Sequence, residues 1–64
     1  PLTMSKAGDT VTIQKINGKA LAELGFVVGE TVTVVNEISG NLIIQVKEAR
    51  IALDKTLAMR IIVG

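Results

Sequence analysis

The sequence predicts a mainly β protein: a small five-stranded antiparallel barrel with one short helix, one domain over residues 1–64. Three observations lead there. Short runs with an apolar residue at every second position recur along the chain, the period of a half-buried strand. Turn signals (Gly8-Asp9, Gly29-Glu30 and Ser39-Gly40-Asn41) separate those runs. A single stretch, Lys19 to Leu24, is built of helix formers with no β-branched member. Closing the sheet on itself removes the edges that so small a β chain would otherwise expose.

Each element follows in order. Pro1-Leu2 reads as extended, and Met4-Ser5-Lys6-Ala7 as one helical turn. In Thr10-Val11-Thr12-Ile13-Gln14, Val11 and Ile13 face the core, while Lys15-Ile16 breaks the parity and predicts a bulge or strand end. Asn17-Gly18 fits either a hairpin turn or, with Asn17 as cap, the start of a helix over Lys19–Leu24; the helix is favoured. That helix is barely two turns long, held by packing of Leu21 and Leu24. Gly25 ends it in the left-handed position, Phe26 turns inward as the only aromatic, and Gly29-Glu30 redirects the chain.

The next strand, Glu30 to Ile38, shows Val32 and Val34 on one face and bends near Val35, where continued parity would bury Asn36. After the Ser39-Gly40-Asn41 connection, Leu42, Ile44 and Val46 share a face. Glu48-Ala49 turns the chain into Arg50–Leu53, with Ile51 and Leu53 inward. Asp54 caps a short turn through Lys55–Met59, and Arg60–Val63 is the fifth strand.

Composition narrows the function. A chain of 64 residues buries only about 60% of its unfolded surface, yet 48% of these residues are hydrophobic. The surplus is either scattered or gathered in a patch that another chain covers, and the patch is favoured. Ile43, Ile62 and Val35 fall on outward faces: a twisted barrel can half-bury them, or a partner or second copy can. Net charge is +1, without a cationic block, and neither Trp nor Tyr is present, which argues against nucleic acid. No cysteine occurs, consistent with a cytoplasmic setting, and no run is long and apolar enough to insert into a membrane.

Catalytic equipment is sparse. With no His, Cys or Tyr, acid–base groups reduce to carboxylates and lysines, and neither Ser5 nor Ser39 has an imidazole to activate it. Asp9, Glu23, Glu30, Glu37, Glu48 and Asp54 are dispersed along turns and strand ends, so no catalytic residue and no metal or cofactor site is expected. Gly18-Lys19 is not a phosphate loop, because Ile13 stands where the first glycine belongs and Ala20 where a Ser or Thr does.

The order of motifs is itself informative. Leu21-x-x-Leu24-Gly25-Phe26-x-x-Gly29-x-x-Val32-x-Val34 resembles the signature of the FeoA family. The resemblance continues through Gly8-Asp9-x-Val11-x-Ile13, Gly40–Val46, Arg50–Asp54 and Ala58 with Ile61-x-Val63, nearly the whole chain. It implies an SH3-like barrel, and a non-enzymatic adaptor or regulator of bacterial ferrous iron uptake. The implied partner is the FeoB membrane transporter, through its cytoplasmic GTP-binding domain, which handles the Fe²⁺. Related domains form an accessory module of iron-dependent transcriptional repressors, the alternative setting. The segment from Gly18 to Leu21 is shorter than in other members, so an engineered, loop-shortened barrel without retained activity is a further alternative. A short hinge also favours a homo-oligomer by domain swapping. The residues expected to form or position a partner surface are Leu21, Leu24, Phe26 and Ile43, with Gly25 and Gly29 as structural turns.

Overall fold

The computed structural model describes residues 1–64. Its strands are β1 (Thr10–Ile16), β2 (Thr31–Ile38), β3 (Asn41–Val46), β4 (Ala49–Leu53) and β5 (Ile61–Val63). They form one antiparallel sheet in the order β4-β3-β2-β1-β5. The five strands are those the sequence predicts, but the sheet does not close: β4 and β5 remain unpaired with one another. A full barrel would need β4 to reach β5, and the chain spends Asp54–Arg60 on a helical turn instead.

Two irregularities bend the sheet where parity fails. β1 pairs Ile13 with Val63 and then Lys15 with Ile62, so Gln14 is bulged. β2 pairs Val34 with Ile44 and then Asn36 with Ile43, so Val35 is bulged and Asn36 is turned out to solvent. One extra residue raises the local twist and spares the strand a buried amide. β1 also divides its partners: Thr10–Thr12 pair with β2, and Ile13–Ile16 with β5.

Three helical turns fill the gaps. α1 covers Ala20–Glu23 and α2 covers Lys55–Ala58. A 3-10 turn covers Leu2–Met4, with Met4 N–H donating to Pro1 O at 2.9 Å. Asp54 caps α2 as expected, its Oδ1 accepting from Leu57 N–H at 2.8 Å. Asn17 does not cap α1: Lys19 occupies that position without a side-chain bond, and Asn17 N–H closes β1 onto Arg60 O. α1 is therefore a single turn. The first helical turn lies at Leu2–Met4 rather than Met4–Ala7, because it drops Leu2 into the core.

The core is wholly apolar, with no buried polar or charged residue. Val32, Val34, Leu42, Ile44, Val46 and Leu53 line the inner face of β2–β4, with Ile13 from β1 and Ile61 from β5. Leu2, Leu21, Phe26 and Ala58 plug it from the turns. The turn between β3 and β4 falls at Lys47-Glu48, one residue earlier than expected, and Lys47 takes φ 54° to make it.

Candidate functional site

The site begins with the backbone at the end of α1. Gly25 N–H donates to Ala22 O at 3.0 Å, and Phe26 N–H to Leu21 O at 3.1 Å. Gly25 sits at φ +98° between them. This is a complete Schellman ending, in which only a residue free to adopt the left-handed region fits cheaply. Its usual apolar contact is present, because Leu21 and Phe26, the two residues joined by the longer bond, are both buried in the core. Phe26 is 0% exposed and Leu21 1%. A tight turn follows: Glu30 N–H donates to Val27 O at 3.2 Å, with Gly29 at φ +91° in the third position, as a type II turn requires. Gly29 N–H then bonds Ile13 O at 2.8 Å, and Ile13 N–H bonds Glu30 O at 2.9 Å, pinning the loop to β1.

The inward plug pushes its neighbours outward. Leu24 is 46% exposed, Val27 52% and Val28 62%, so three apolar side chains stand on the surface beside Phe26. Next to Leu24 lies an open groove of about 400 Å³. Leu24 and Gly25 form one wall; the β3–β4 turn (Val46 to Ala49) and Ile51 form the other. Lys47 in that turn pairs with Glu30 at 3.7 Å, tying the turn to the start of β2. Lys47 is well exposed, so the pair contributes at most about 1 kcal/mol. The Glu30 side chain is largely buried, and its Oε1 has no hydrogen-bond partner.

The residues singled out from sequence thus divide. Leu24 lies on the surface at the groove. Leu21 and Phe26 lie beneath it and set its shape without being available for contact. Ile43 is half-buried on the opposite face of β3 from Ile44, away from this wall. Sequence reasoning missed Val27 and Val28; an apolar pair between two turn glycines has no strand partner to cover it, and that signal was available. No three of His, Cys, Asp or Glu converge where they could hold a metal ion. No helix is long and apolar enough to cross a membrane.

A family model described as the FeoA domain matches residues 1–64. The chain belongs to the FeoA family. This FeoA domain is 32% identical over 68 aligned residues to Fe(2+) transport protein A of Methanocaldococcus jannaschii, covering 98% of this chain and 83% of that protein. The crystal structure of an iron uptake regulatory protein (FeoA) superposes on it with a TM-score of 0.90 at 32% identity, over 100% of this chain and 92% of that one. The solution structure of iron(II) transport protein A from Clostridium thermocellum gives a TM-score of 0.85 at 24% identity, over 98% of this chain and 43% of that chain. The last comparison speaks to the fold alone. The fold is the SH3-like one of FeoA, and the family is one involved in ferrous iron transport.

Proposed function

We propose that this FeoA domain is a non-enzymatic adaptor of ferrous iron uptake that works at the cytoplasmic face of a FeoB-type transporter. It grips the transporter's GTP-binding domain through the Leu24 groove and the adjoining Val27-Val28 loop. The observation that carries the reading is the apolar surface around the Phe26 plug, where the exposed Leu24 lines an open groove and the exposed Val27 and Val28 follow it on a loop pinned to β1 by hydrogen bonds. Such a surface is costly to leave in water and suits a protein partner. Iron is handled by that partner: this chain offers dispersed carboxylates and no imidazole or thiolate.

The test is calorimetric titration of the domain into the isolated GTP-binding domain. Leu24 is half in solvent, so Leu24→Asp leaves the fold intact while setting a charge against the partner. Affinity then falls at least tenfold, the equivalent of losing about 1.5–3 kcal/mol of side-chain burial. Unchanged binding by Leu24→Asp moves the contact elsewhere, and no binding by the unaltered domain ends the adaptor reading.

A further inference from the structure

We infer that the free edge of β4 is a self-association site, through which two copies of this chain join into one continuous sheet. β4 ends the sheet, whereas the 3-10 turn packs beside β5 at the other end. Val46 and Ala49 close a two-residue hairpin, so Ala49, Ile51 and Leu53 direct their main-chain groups at β3. By alternation, Arg50 and Ala52 turn theirs away from the sheet. Asp54 continues the series with extended backbone at φ −71° and ψ 167°, but its C=O accepts from Ala58 N–H at 2.9 Å, so its N–H is the main-chain group left for pairing. All three residues are exposed.

Charge selects the register. A two-fold axis through Ile51 would set Glu48 opposite the second copy's Asp54, two like charges face to face. An axis through Ala52 instead pairs Ala52 with itself and Arg50 with the second copy's Asp54, twice over. Opposed residues in such a ladder have Cβ atoms about 4.5–5.5 Å apart, within reach of a guanidinium–carboxylate bond. Both groups are poised for it. Arg50 spends only Nε within the chain, donating to Gln45 Oε1 at 2.8 Å, which leaves its terminal nitrogens free. Asp54 spends only Oδ1, on Leu57 N–H. Alanine at the axis lets the strands approach closely.

Sedimentation equilibrium over about 10 μM to 1 mM, the range of a weak dimer, tests this on the full chain. The mass should rise toward twice the monomer value, and added salt should lower it by screening the Arg50–Asp54 pairs. Arg50→Glu sets two carboxylates against each other and should weaken association at least tenfold. Ala52→Pro removes an N–H that β3 does not use, and should abolish it. If that variant disturbs the fold, Arg50→Glu alone decides. Amide exchange at Arg50 and Ala52 should slow as concentration rises. A monomer mass throughout, or a dimer that Arg50→Glu leaves unchanged, overturns the assignment. No transporter is present in the experiment, so the adaptor reading stands or falls separately.

Discussion

Replacing Phe26 by Ala removes the largest side chain of the core, which is 0% exposed and surrounded by residues from both ends of the chain. An aromatic ring of this kind buries about 150–250 Å², worth roughly 4–6 kcal/mol at 25 cal/mol per Å². The retained methyl group and partial collapse of the cavity bring the expected loss to about 3–5 kcal/mol. Against this stands the whole stability of a 64-residue domain, on the order of 3–10 kcal/mol. Phe26→Ala should therefore leave the domain marginal or unfolded at 25 °C. In a urea melt followed by far-ultraviolet dichroism, a slope of about 1 kcal/mol/M converts the loss into a midpoint lower by about 3–5 M. Leu24→Ala, at a side chain nearly half exposed, is the control and should cost under about 1 kcal/mol. A loss below about 1 kcal/mol for Phe26→Ala would refute the reasoning, because the ring would then lie outside the core.

Three other outcomes are expected. A Cβ at Gly25 meets nothing within 4 Å, so Gly25→Ala should cost only the left-handed strain, about 1–2 kcal/mol in the same melt, and D-alanine there should cost nothing. Asp54→Ala removes the α2 cap and should lower stability by about 1 kcal/mol, while Asp54→Asn keeps an acceptor and should cost much less. Anaerobic calorimetry with Fe²⁺ should show no saturable site, and micromolar affinity would place iron on this chain after all.

Local pattern was legible where two rules agreed. Period-two runs mark β1 to β4, and the failures of parity at Lys15 and Val35 locate both bulges to within a residue. Helix formers ending at Gly25 gave α1 its position and its terminus. What escaped depends on contacts distant in sequence. Leu2 looks extended beside Pro1, but the hole left by β5 and α2 pulls it into a 3-10 turn. Asn17 is a good capping residue by type, yet its N–H is claimed by Arg60 O across the sheet. Closure was inferred from the liability of edges, and the sheet leaves β4 open instead. For the surface, the sequence marks the stretch Leu21 to Glu30 as a whole. It did not separate plug from rim, because Leu21 and Phe26 differ from Leu24 and Val27 only in which way the turn points them.

Leu2 and Ile61 are both 0% exposed, so the interior is sealed by residues far apart in sequence, one ahead of β1 and one in β5. A ribosome adding about 5–20 residues per second thus releases no stable intermediate. The nascent strands stay exposed to chaperones and proteases until Ile61 clears the exit tunnel, and then the domain consolidates in one step. Deleting the Leu2–Met4 turn or β5 should have the same effect as a core cavity, since the hydrophobic interior would be left uncapped.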